Sequence, residues 1–144
     1  MAAMINVLKA LYSMLEGDSQ LTNLLSTYQT EEGASVPAIF DTTAPEGAIE
    51  PYIVITTQPV TPGESHATER MPYTVDTYDN STSKATALAI AARVKKLLDL
   101  TSPTFEGHTS LGIWWDFQEI VPEEDPKIQH ITQIYVVRYG RNDL

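Results

Sequence analysis

Few residues in this chain are of types that do chemistry. Cysteine is absent, which removes disulfides, thiolate metal sites, iron–sulfur clusters and cysteine nucleophiles together. The three histidines, His66, His108 and His130, stand far apart, and none has a second ligand at the i, i+4 spacing of a zinc-binding helix. Ser81-Thr82-Ser83-Lys84 fits the S-x-x-K spacing of serine acyl-enzymes, but the companion S-D-N and K-T-G motifs are missing. Serine and asparagine ahead of a helix more simply accept its free N–H groups. Asn80-Ser81-Thr82 has the form of a glycosylation acceptor, which is meaningful only on a secretory route. Glu123, Glu124 and Asp125 could hold a divalent cation or act as acid and base, yet acids between Pro122 and Pro126 read first as a solvated turn. Neither G-x-G-x-x-G nor G-x-x-x-x-G-K occurs. No catalytic, cofactor-binding or metal residue is therefore assigned, no cofactor is expected, and the chain is not read as an enzyme.

The elements that carry these residues follow from apolar spacing. Met4, Ile5, Leu8, Leu11, Tyr12 and Leu15 recur at three and four residues and predict an amphipathic helix ending at Gly17. Asp18 caps a second short helix through Leu21, Leu24 and Leu25, and Gln29 to Ser35 is a loop. Val36 to Asp41 and Pro51 to Thr57 are strands, the second expected to be buried on both faces from Tyr52 to Ile55. Pro59 to Glu69 is an exposed loop, and Tyr73 to Tyr78 alternates as a half-buried strand paired antiparallel with the Tyr52 strand. Lys84 to Leu100 is the strongest helix, its alanines permitting close approach to a sheet. Leu111 to Val121 and Ile128 to Tyr139, joined through the polar Pro122 to Lys127, form an antiparallel hairpin. Adjacent Trp114 and Trp115 must then point to opposite faces, one into the core and the other to solvent, another layer or a partner. The expected fold class is α+β, a single domain over residues 1–144 with a mostly antiparallel sheet of four to five strands packed by the N-terminal helix and the Ala-rich helix.

The whole chain is 144 residues, of a size for one core. Nineteen acids against nine bases give a formal net charge of −10. Such a chain does not neutralise phosphates over its general surface, which disfavours nucleic-acid readers. The longest apolar run, Ala87 to Ala92, is far short of a membrane span of about 20 residues. The N-terminus shows no secretory signal, so an intracellular product is expected. The charge is segregated: residues 1–80 carry eleven acids and two bases, and residues 81–144 carry eight acids and seven bases. This polarity could orient neighbouring molecules.

An N-terminal amphipathic helix, Val36-Pro37-Ala38-Ile39-Phe40, Pro51-Tyr52-Ile53-Val54-Ile55, Tyr73-Thr74-Val75-Asp76, the Ala-rich helix and Gln133-Ile134-Tyr135-Val136-Val137-Arg138-Tyr139 follow in order. Over nearly the whole chain this order resembles the tail terminator (tail completion, tail-to-head joining) proteins of phages with long non-contractile tails. The resemblance implies a virion assembly subunit at the head-proximal end of the tail, assembled in the host cytoplasm. There it would form a ring, a hexamer in that family, that caps the tail tube, stops its polymerisation and offers a docking face to the head connector or stopper protein. Its expected partners are further copies of itself, the tail tube protein and the connector, with DNA passing through unbound and no membrane involved. Within that reading, Glu31, Glu32, Glu46, Glu50, Glu64 and Glu69 are candidate channel-lining acids. Arg93, Lys95, Lys96, Arg138, Arg141, Trp114 and Trp115 are candidate subunit-interface residues. Pro59 to Glu69 and Thr101 to Ser110 are candidate contact loops. A different connector component of stopper type and a small ligand-binding domain are the alternatives.

Overall fold

The computed structural model describes residues 2–57 and 59–141, with side chains from residue 5 onward. The chain begins with α1 (Ala2–Glu16) and α2 (Ser19–Thr22), then β1 (Thr27–Gln29), β2 (Ser35–Pro37), β3 (Ile39–Asp41), β4 (Tyr52–Thr57), β5 (Thr61–Pro62) and β6 (Thr68–Asn80). It ends with α3 (Ala85–Leu98), β7 (Ser110–Val121) and β8 (Ile128–Gly140). The main sheet runs β3-β4-β6-β8-β7, with β5 paired to β6, while β1 and β2 form a separate hairpin. Among the described residues, β3 and β4 pair in parallel and the other pairings are antiparallel. The expected α+β class, the two antiparallel pairings and the principal helices are all present.

Three local differences have physical causes. The single strand expected from Val36 to Asp41 is two, because the chain turns at the buried Ala38 from its pairing with β1 to its pairing with β4. The loop expected from Pro59 to Glu69 is partly strand: Thr61 pairs with Arg70 and Pro62 with Glu69. β6 begins at Thr68, five residues before the expected start, since its partner β8 continues to Gly140 and supplies hydrogen bonds that make polar residues acceptable there. Ser83 serves the start of α3 as expected, its Oγ accepting from the Ala85 N–H at 3.1 Å.

All three helices lie on one face of the sheet. Ile53, Ile55, Met71, Tyr73, Val75, Tyr135, Val137 and Tyr139 point to that side and meet Val7, Leu11 and Leu15 of α1, Leu21 of α2 and Ile90, Val94 and Leu98 of α3 in one core. Ala87 and Ala91 let α3 settle on β8 at Ile131, and Gln133 Nε2 donates to the Ala91 carbonyl at 3.0 Å. Asp18 fastens the helix layer together: it caps α2 by accepting from the Leu21 N–H and takes two hydrogen bonds from Arg93 of α3, at 2.7 and 2.8 Å. The Arg93 hydrogen bonds hold the Asp18 carboxyl below the usual carboxylate range.

Candidate assembly surfaces

The helices leave two surfaces of the sheet to solvent. The first is the opposite face, crossed by a row of rings: Tyr28, Phe40, Tyr52, Tyr78 and His130, with successive centroids 5.3, 5.7, 5.3 and 4.2 Å apart. Alternation places Phe40, Tyr52, Tyr78 and His130, one from each of the neighbouring strands β3, β4, β6 and β8, on this face, and Tyr28 joins the row from the separate β1–β2 hairpin. Its last member is held by charge. His130 Nε2 lies 2.8 Å from Asp76 Oδ1, and Nδ1 lies 3.6 Å from Glu123 Oε2 on the turn after β7. Burial is the largest single influence on this imidazole and disfavours its charge, but the hydrogen bond and charge of Asp76 together with Glu123 outweigh it and raise the pKa above the usual histidine value. Burial, assisted by Asp76 and Glu123, pushes the Tyr78 hydroxyl up to about 12. The trio was not legible in the sequence, where Asp76 and His130 are 54 residues apart; the only signal was that both fall on alternating strands.

The second surface is β7, an edge strand. α3 lies over β8 and reaches β7 only at its own C-terminal end, where Lys95 Nζ stands 3.8 Å from the Trp115 ring centre and Asp99 accepts the Trp115 N–H at 2.7 Å. Trp114 points to the opposite face, under the Arg138 guanidinium at 4.3 Å. The two tryptophans do take opposite faces, but neither enters the core. A register shift at Gly112, whose φ of +104° suits glycine, puts Ile113 at the buried position instead. Beyond a second shift at Asp116, Phe117 and Ile120 are 43% and 47% exposed.

The candidate interface bases are thus partly committed inside the chain. Arg93 is bound to Asp18, Lys95 covers Trp115, Arg138 also donates to the Leu111 carbonyl and lies 3.6 Å from Glu64, and Arg141 donates to the His66 carbonyl. Lys96 is exposed beside Lys95 on α3. The candidate channel acids are not gathered in one place. Glu31 and Glu32 sit at the tip of the β1–β2 hairpin, Glu46 and Glu50 on the β3–β4 connection, Glu64 in the β5–β6 turn and Glu69 in β6. Glu50 raises the pKa of both Tyr52 and Asp79 after the larger effect of burial, and Glu123 also acts on Tyr52. One end of the sheet is therefore an acidic corner that includes Asp76, Asp79 and Glu123. Glu69 lies at the other end of β6, roughly 30 Å away at about 3.3 Å per residue. Of the candidate contact loops, Thr101 to Ser110 is pinned by Phe105, which is buried against Tyr139 with ring centres 6.3 Å apart. Among the described residues no three His, Asp or Glu side chains are grouped to hold a metal ion, and no helix is long and apolar enough to cross a membrane.

A small α+β subunit that leaves one sheet face, one long edge strand and several acidic turns to solvent has the surface of an assembly component. The family comparison is specific: the profile of the Tail completion protein gp17 family matches residues 9–140. The chain belongs to that family, and its role is structural, in tail assembly. No curated protein sequence matches it. Among solved structures, a chain of the virion of a native gene transfer agent (GTA) particle has the same fold, with a TM-score of 0.73 at 19% identity over 97% of this chain and 98% of that one.

Proposed function

We propose that the protein is a tail terminator: copies of it close into a ring, six in the arrangement expected for such subunits, on the head-proximal end of the tail tube, halt its growth and present a face to the head connector. Family membership over residues 9–140 carries this reading. Physical chemistry supports a passive conduit. Six copies at −10 each bring −60 formal charges around a path for DNA, which carries about one negative charge per 1.7 Å of its axis. Acids facing the path repel phosphate and keep the genome moving, whereas a basic lining would retain it. The acidic corner of Glu50, Asp76 and Glu123, with Glu46 on the adjoining turn and Asp79 buried beside it, supplies such a surface more compactly than the six glutamates taken together.

Negative-stain images of the purified protein, alone and mixed with tail tubes, test the reading. Six-fold rings at one tube end, with tubes that no longer elongate, are expected. A protein that remains monomeric and leaves tube growth unchanged overturns it.

A further inference from the structure

Along the second half of β7 the helix layer stops one strand short of the sheet edge. Residues Lys84, Leu88 and Lys95 follow one another along the flank of α3 that looks toward β7, as the placement of Lys95 over Trp115 fixes. Below them, Ile120 stands opposite the buried Ile131 and on the same side of the sheet, so Leu88 and Ile120 border an open groove. Leu88 is 41% exposed. The groove continues into a depression of about 380 Å³ lined by Ala92, Lys95, Lys96 and Asp99. Asp99, which accepts the Trp115 N–H and keeps its charge, is outnumbered by Lys84, Lys95 and Lys96, and Glu119 lies on the opposite sheet face, so the lysines set the local sign. The groove thus offers aliphatic surface bracketed by positive charge.

The opposite side of the same sheet carries the complementary shape and charge. On the β3–β4 connection, Ile49 is 66% exposed between Glu46 and Glu50. Its turn is held in place: the Ala48 N–H donates to the Pro45 carbonyl at 3.1 Å, Gly47 takes a φ of +89°, and the Ser26 hydroxyl donates to the Ile49 carbonyl. A large aliphatic side chain on an ordered, acidic turn has little entropy to lose on docking.

We propose that the occupant of the α3–β7 groove is Ile49 of a second copy of this chain, with Glu46 and Glu50 of that copy facing Lys84 and Lys95. Knob and groove lie on opposite sides of one sheet, so the contact is heterologous and each copy keeps a free knob and a free groove, the condition for propagation into a ring. It rests on the ring reading above and gives that ring its contact. It also assigns Glu46 and Glu50 to the subunit interface as well as to the acidic corner.

Because the chain has no cysteine, one experiment reads the contact directly. The double variant Ile49→Cys, Leu88→Cys, assembled on tail tubes and treated with a short bismaleimide, should give a ladder of covalent oligomers up to the ring number in denaturing gels. Each single variant should give no species above the dimer. Both positions are exposed, and circular dichroism of each variant controls for folding. Rings visible in negative stain with no ladder from the double variant overturn this contact and leave the ring reading standing. Absence of rings for the wild-type protein under all conditions overturns the ring reading and this contact with it. A second variant, Ile49→Asp, should reduce ring yield at least tenfold while the monomer stays folded; an unchanged ring yield overturns the contact.

Discussion

The two halves of β7 have the same partner strand and opposite surroundings. In the first half, Ile113 is buried under α3, with its backbone also joined to Thr101 and Leu100 after the helix. In the second half, from Asp116 to Val121, β8 is the paired strand, no helix lies above and all but the final valine are exposed. Ile113 and Ile120 are the same residue type on the same strand, yet Ile113 is 2% exposed and Ile120 is 47%. The hairpin register suffices to form the second half, so its side chains are not needed for the core. The structure thus separates residues that hold the subunit together from residues that stay exposed on its surface.

The sharpest way to break this contrast is to make one substitution at both places. Ile113→Ala removes buried methyl groups and leaves a cavity, with an expected cost of about 2–4 kcal/mol in urea unfolding. Ile120→Ala should change stability by less than about 0.5 kcal/mol. Equal losses at the two sites would show that the outer half of β7 is covered in the isolated subunit.

A smaller effect distinguishes the open face from the core by pH. His130 gains its partners Asp76 and Glu123 on folding, and its pKa is raised. The folded state therefore holds this proton more tightly than the unfolded chain, so the contribution is full below the ordinary histidine pKa near 6.5 and is lost as pH rises through the higher folded value. Wild type should lose on the order of 1 kcal/mol relative to His130→Gln between pH 6 and pH 9. A difference between the two proteins that is constant over this range would mean that folding leaves the imidazole pKa unshifted, and a gain by wild type as pH rises would mean that the folded imidazole is neutral beside Asp76.

How far these features could be read beforehand depended on whether they were local. The 3.6-residue spacing of Leu8, Leu11 and Leu15 and the alternation of Tyr73 to Tyr78 are local, and they fixed α1, the β4–β6 pairing and the helix-covered side. The division at Ala38 was not local, because it depends on a change of partner strand. The same holds for the tryptophans. Alternation correctly sent Trp114 and Trp115 to opposite faces, but Gly112 shifted the frame and gave the core position to Ile113. Charge arithmetic located the basic helix, while the capture of Arg93 by Asp18 over 75 residues of chain lay outside any window of sequence. Likewise Ile49, one aliphatic among turn formers, acquires meaning only when its exposure and the opposite edge of the sheet are both known.

The smallest expected effect on the subunit lies on the open face beyond the bulge. Phe117 stands opposite Ile134, on the face that no helix covers, and is 43% exposed. Removing its ring sacrifices some cross-strand contact with Ile134, but serine keeps the backbone pairing and lowers the apolar area shown to water. Phe117→Ser should therefore shift the unfolding midpoint by no more than a few tenths of a kcal/mol in free energy, whereas assembly onto tubes should report whether this face is covered in the particle. If Phe117→Ser caps tubes as well as wild type, the open face stays wet in the assembly and the edge groove is the main contact. If capping fails while stability is kept, the ring or its tube partner covers the open face as well.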